Sequence, residues 1–163
     1  MNSKTFRIAI GADPFALTLK NAVMAHLAGT THQVVDVGVS RDGDETPYYT
    51  TAAKVARMIA AGEVDRGILV CGTGMGMAIV ANKFRGVYAA VCENPYSAKM
   101  SRAVNDANVL TLGEFITAPH LAGEIVDTWL ATEFTEGFDE PVSGLIRQFC
   151  AGVRQLEQDV AGA

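Results

Sequence analysis

Gly-Ile-Leu-Val-Cys-Gly-Thr-Gly-Met-Gly-Met-Ala-Ile-Val-Ala-Asn-Lys, residues Gly67 to Lys83, holds both a change of backbone regime and a reactive side chain. Ile68, Leu69 and Val70 form an apolar run too short for a helix and rich in strand formers. Gly72, Gly74 and Gly76 then alternate with other residues, and glycine at that density lets the chain turn sharply and a ligand approach the main chain. From Met77 to Lys83 the composition favours a helix again. The segment therefore reads as strand, glycine turn, helix. That geometry aims backbone N–H groups and the positive end of a helix dipole at one spot, which suits an anion. Cys71 stands at its mouth.

The same alternation extends in both directions. Arg7–Ala12, Gln33–Gly38, Gly67–Cys71, Val87–Cys92 and Ala107–Gly113 read as five strands. Helices are expected over Phe15–Leu27, Pro47–Ala61, from the glycine turn to Lys83, after Asn94-Pro95, and over Thr117–Thr132; Asn94 is an N-cap with proline at the first helical position. Continuous apolar strands, each followed by a helix, predict a parallel sheet covered on both faces. In such sheets a ligand lies at the carboxyl ends of the strands, where Asp13, Cys71 and Glu93 all fall. After a hinge-like loop at Glu136–Pro141, Val142, Leu145, Ile146, Phe149, Cys150, Val153 and Leu156 make one helical stripe, suited to packing on the domain or on a neighbouring subunit.

Composition narrows the function. At 163 residues the chain is read as one domain, 1–163, able to bury a core without staples. A net charge of -5 without a dense basic patch argues against nucleic acid. Met1–Arg7 lacks the apolar stretch of a signal peptide and no run is long enough to span a membrane, so a cytoplasmic protein is expected. Cys71, Cys92 and Cys150 have neither disulfide-framework nor metal-ligand spacing; no metal is expected.

Neither standard nucleotide motif fits. GxGxxG fails at Met77 or Ile79, depending on where it starts, and no GK[ST] follows the turn. A small-anion or oxyanion cradle beside a thiol remains. Cys71 has two readings: a small buried hydrophobe, or a thiolate stabilised by the helix terminus and able to act as nucleophile or base. Asp13, followed by Pro14, fits an N-cap as well as a substrate-hydroxyl contact. Asn105-Asp106 fits turn chemistry. His26, His32 and His120 lie in no catalytic motif.

Cys-Gly-Thr-Gly-Met-Gly with Ala81-Asn82-Lys83, Asn-Pro-Tyr-Ser-Ala from Asn94 to Ala98, and Asn-Asp-Ala-Asn-Val-Leu from Asn105 to Leu110 together resemble the ribose-5-phosphate isomerase B family, which includes the galactose-6-phosphate isomerase subunits. The resemblance runs from about Ile8 to Phe134. It implies a Rossmann-like three-layer α/β/α fold with a five-stranded parallel sheet, a core of about 7–134, and a C-terminal helix of about 142–158 at a dimer interface. It also implies a homodimer, with a tetramer as the alternative assembly, and active sites built across the interface. The implied chemistry is metal- and cofactor-free interconversion of an aldose phosphate and its ketose. Carried over by position, Cys71 is the base, Thr73 assists proton movement at the sugar oxygens, and the N–H groups of Gly72, Gly74 and Gly76 hold the enediolate. Asp13 and Asn105 bind sugar hydroxyls.

The chain departs from the pattern the resemblance implies. Pro14 and Val104 stand where that pattern has histidines, the second associated with opening the sugar ring. An arginine expected shortly after Gly113 is absent from Gly113-Glu114-Phe115-Ile116, and those expected across Gly137–Val142 are replaced by uncharged or acidic residues. Lys20, Lys99, Arg102 and Arg147 are the candidate replacements. A tetrose whose terminal oxygen carries phosphate cannot close a five- or six-membered ring, so its isomerase has no ring to open. The expectation is therefore an isomerase of a pentose or tetrose phosphate. Two alternatives stand beside it: an isomerase of an unphosphorylated or otherwise modified sugar, and a non-catalytic sugar-binding or partner subunit of the same fold.

Overall fold

The computed structural model describes residues 4–41 and 43–161; the first three residues of the polar Met1–Arg7 stretch, Asp42 of the acidic loop and the last two residues lie outside it. Five strands, β1 (Arg7–Ala12), β2 (Gln33–Asp36), β3 (Arg66–Cys71), β4 (Ala89–Val91) and β5 (Val109–Gly113), form one parallel sheet in the order β2-β1-β3-β5-β4. Among the described residues six α-helices accompany them: α1 (Leu17–Leu27), α2 (Tyr48–Ala60), α3 (Met75–Ala81), α4 (Pro95–Ala103), α5 (Pro119–Ala131) and α6 (Val142–Ala161).

Strand periodicity explains the three layers, because successive side chains point to opposite faces. Ile8, Ile10, Ile68, Val70, Leu110 and Leu112 meet Leu19 and Val23 of α1, Ala98 of α4 and Ile125 and Trp129 of α5. Ala9, Leu69, Cys71 and Val109 meet Ala52, Val55 and Ala56 of α2 and Met77 and Ala81 of α3. The expected Rossmann-like three-layer α/β/α architecture is the one observed. Its strand order reverses between β1 and β3, which opens a crevice at their carboxyl ends.

The element boundaries differ where side chains replace ladder bonds. The fourth strand is confined to Ala89–Val91 because the Tyr88 N–H donates to Asn108 Oδ1 at 2.8 Å, while the Asn108 N–H donates back to the Tyr88 carbonyl at 3.0 Å. The third helix stops at Ala81, short of Lys83, because Asn82 turns its amide onto Ala89: its Oδ1 accepts from the Ala89 N–H at 2.7 Å and its Nδ2 donates to the carbonyl at 3.0 Å.

The stripe read on the tail divides in two. Ile146 is buried, and the Cys150 thiol donates to the Val104 carbonyl at 3.2 Å. On the same side Arg154 pairs with Asp106 at 2.8 Å, and Glu157 accepts from the Gly86 N–H at 2.7 Å and the Tyr88 hydroxyl at 3.1 Å. These contacts lay α6 across the loops at the amino end of β5. Val142, Leu145, Phe149, Val153, Leu156 and Val160 form a separate exposed apolar face.

Lys20 of α1 is wholly buried and donates to Asp36 and to the Val39 carbonyl, tying α1 to the end of β2. Removing the ammonium alone leaves both acceptors unmatched. Lys20→Met is expected to lower unfolding stability in urea by about 2–3 kcal/mol, below the ~3–5 kcal/mol typical of breaking a fully buried pair, because Asp36 is partly hydrated.

Candidate active site

β3 delivers Cys71 to the carboxyl edge of the sheet, where the residue is 5% exposed. The turn that follows is shaped by Gly74, whose φ of 77° lies in the left-handed region. This conformation brings the Gly74 N–H back to donate to Cys71 Sγ at 3.1 Å and begins α3 at Met75. The Thr73 hydroxyl accepts from the Met75 N–H at 3.4 Å. Gly76 lies in the first helical turn, where N–H groups have no intrahelical acceptor. A sulfur, a hydroxyl and several N–H donors thus share one short turn.

The turn is held from β5. The Glu114 N–H donates to the Cys71 carbonyl at 2.9 Å and the Phe115 N–H to the Gly72 carbonyl at 3.0 Å. Gly113 makes that approach possible, since a Cβ on it would lie 2.8 Å from Thr73 Cα.

Asp13 reaches the same crevice from β1. It is 5% exposed; its N–H donates to the Val70 carbonyl at 3.3 Å, and its Oδ1 accepts from the Phe15 N–H at 3.0 Å, capping a 3₁₀ turn at Pro14–Ala16. Burial pushes the Asp13 carboxyl above its ordinary value, against the Phe15 N–H that favours the charged form; the negative charge of Glu114 adds to the rise. Glu114 itself accepts from the Leu19 N–H at 3.0 Å. In the sequence Glu114 stands out only as a residue of the stretch that lacks the expected arginine. Its position directly after β5 was the available signal.

The remaining sequence candidates lie elsewhere. Glu93 is exposed beyond β4, which β5 separates from β3, so about 10 Å of sheet intervenes. Asn105 is exposed and precedes β5 at its amino end, whereas Cys71 pairs with Gly113 at the other. Val109 pairs with Gly67, four residues before Cys71, so the two ends of the ladder are about 13 Å apart. Asn105 lines a separate cavity of about 260 Å³ with Tyr88, Cys150 and Arg154. Cys71, Thr73, Asp13 and the three glycines come together in one chain; Asn105 does not join them.

Of the four candidate replacement cations two are buried with partners and two lie in half-exposed surface pairs. Lys20 is buried with Asp36, Arg102 bonds Asp106 and the Ala107 carbonyl, Lys99 lies 3.9 Å from Glu136, and Arg147 pairs with Glu140. Among the described residues no three His, Cys, Asp or Glu side chains converge as metal ligands, and no helix is long and apolar enough to cross a membrane.

The ribose/galactose isomerase family model matches residues 8–142. The chain belongs to that family. It is 48% identical over 134 residues to the 4-deoxy-4-sulfo-D-erythrose isomerase of Clostridium sp. (strain MSTE9), covering 82% of this chain and 84% of that one. It is 46% identical over 132 residues to the ribose-5-phosphate isomerase B of Escherichia coli (strain K12), covering 80% and 87%. The solved structure of Clostridium thermocellum ribose-5-phosphate isomerase B superposes with a TM-score of 0.85 at 39% identity, covering 94% and 99%.

The direction of the Asp13 shift fixes a pH dependence in this isomerase. A carboxyl whose folded pKa is raised contributes stability below its unfolded pKa, and that contribution is lost as pH rises through the folded value. Asp13→Asn keeps an acceptor for the Phe15 N–H and cannot ionise. It is expected to melt at a higher temperature than the parent protein at pH 7, with the difference closing below about pH 4 in melting curves recorded across that range.

Proposed function

We propose that this isomerase interconverts the aldose and ketose forms of a short sugar bearing a terminal acidic group, through a cis-enediolate, with Cys71 as the base. One observation carries the reading: Cys71 Sγ accepts from the Gly74 N–H at 3.1 Å at the opening of the glycine turn. A proton taken from the carbon beside a carbonyl leaves negative charge on the oxygens. The N–H groups of Gly72, Gly74 and Gly76 supply donors for that charge without reorganising at the moment it forms. The Thr73 hydroxyl serves proton movement between the two sugar oxygens, and Asp13 accepts from a sugar hydroxyl.

The chain length follows from chemistry. A pentose 5-phosphate spends most of its time as a ring and needs a proton carrier to open it; Val104, at the position the resemblance gives to that carrier, has no titratable group. A tetrose substituted at its terminal carbon has no five-membered ring to open. Lys20 and Arg102 are held in buried contacts, and their withdrawal favours a terminal group that needs less charge than a phosphate dianion. The Clostridium relative named for a sulfonated tetrose supports extending this preference to the chain described here.

The protein is expected to act as a homodimer, with α6 at the interface and Asn105 serving the partner's site. Support comes from the separation of Asn105 from Cys71 within one chain and from the exposed face running from Val142 to Val160.

Proton exchange tests the chemistry. In D2O, NMR is expected to show deuterium entering beside the carbonyl of erythrose 4-phosphate or 4-deoxy-4-sulfoerythrose faster than with ribose 5-phosphate, with a loss of at least ~100-fold in Cys71→Ala. Exchange unchanged in that variant rules out the cysteine base. Complementation tests the assembly: Cys71→Ala and Asn105→Ala, each inactive alone, are expected to recover about a quarter of parental activity when unfolded and refolded together, because half of randomly formed dimers carry one intact site. No recovery from soluble mixed dimers contradicts a shared site.

A further inference from the structure

We infer that Phe115 and Tyr48 are selectivity-determining residues, two aromatic walls that restrict the slot over Cys71 to short, unbranched chains. The inference rests on the isomerase reading of the Cys71 turn and adds to it what limits the substrate.

The walls follow from the glycines. A Cβ built on Gly72 would lie 2.7 Å from Phe115 Cε2, and one built on Gly76 would lie 2.9 Å from Tyr48 Cε2. Each ring therefore rests in van der Waals contact on one end of the turn whose middle holds Thr73 and Gly74. Neither ring is part of the core: Phe115 is 72% exposed and Tyr48 39%. Solvation alone does not favour leaving such apolar area in water at a strand-end crevice.

The main chain that carries each ring is held by the fold. Phe115 is held through its own N–H on the Gly72 carbonyl, and the next turn closes with the Thr117 N–H on the Gly113 carbonyl at 2.8 Å. Tyr48 opens α2 and meets Tyr49 edge to face, with ring centroids 5.6 Å apart at 79°. A chain lying along the N–H donors with its reacting carbon at Cys71 must pass between these rings. Aromatic faces accommodate the C–H surface of a sugar and offer no donor to a second, longer polar arm. Added length or branching meets a ring backed by main chain.

The test has two readouts. The first needs no substrate: alkylation of Cys71 by N-ethylmaleimide and by N-benzylmaleimide, followed at the Cys71 peptide by mass spectrometry. The second is the ratio of kcat/KM for ribose 5-phosphate to that for erythrose 4-phosphate. In Phe115→Ala and Tyr48→Ala the bulky-to-small alkylation ratio is expected to rise about 5-fold or more, and the pentose-to-tetrose ratio by about 10-fold, the scale on which pockets discriminate one or two carbons. Tyr48→Phe, which keeps the ring, is expected to leave both ratios as they are. If the parent protein isomerises sugars and neither ratio moves by more than twofold in well-folded alanine variants, the walls are refuted and the isomerase reading survives. The walls also fail if alkylation changes while sugar preference does not. If no sugar turns over in the parent protein but the alkylation ratio rises as expected, the isomerase reading fails and the walls stand as what limits access to Cys71.

Discussion

The site depends on the contact between two turns, the one after β3 and the one after β5. Gly113 has no Cβ, so the backbone of Thr73 can lie against it, and the Glu114 and Phe115 N–H groups can bond the Cys71 and Gly72 carbonyls. Any larger residue at position 113 would push the turns apart. That one steric permission sets the direction of the Gly72–Gly76 donors, the place of the Phe115 ring and the entry of Glu114 beside Asp13. The crevice where strand order reverses provides the room.

Acidic groups border this contact. Lys20 and Arg102 are held by internal partners, and Asp13 and Glu114 place two carboxyl groups together at the edge of the crevice. A site of this kind relies on oriented backbone dipoles, which cost no reorganisation as charge develops. It suits an anion or oxyanion lying close to the main chain.

The far end of the sheet has its own logic. Arg154, Glu157 and Cys150 fasten α6 across the loops before β5, and Asn105 lines a cavity there with Cys150 and Arg154. The same helix turns Leu145, Phe149 and Leu156 to solvent. Its docked face joins buried Ile146 to specific polar contacts; its free face is apolar and continuous. A helix built this way is stable on one chain and still offers area for a second.

The sequence by itself determined the architecture and the strand, glycine turn and helix that gather Cys71, Thr73 and the glycines. Five apolar runs at βα spacing admit only a covered parallel sheet, and β1 falls on Arg7–Ala12 as read, because local propensity and burial agree there. Cys71, Thr73 and the glycines were legible because the turn that brings them together is continuous in sequence, as was the Asp13 cap. Tertiary structure decided what rests on contacts distant in sequence. Asn108 and Asn82 shortened β4 and α3 by replacing main-chain partners with side chains. Asn105 and Glu93 were carried away from Cys71 by strand direction and strand order, which propensity does not encode. The tail stripe became two faces because the loops before β5 captured one of them. Tyr48 and Phe115 became neighbours of one glycine turn although 67 residue numbers separate them, because only the packing of α2 and β5 on either side of α3 brings them there.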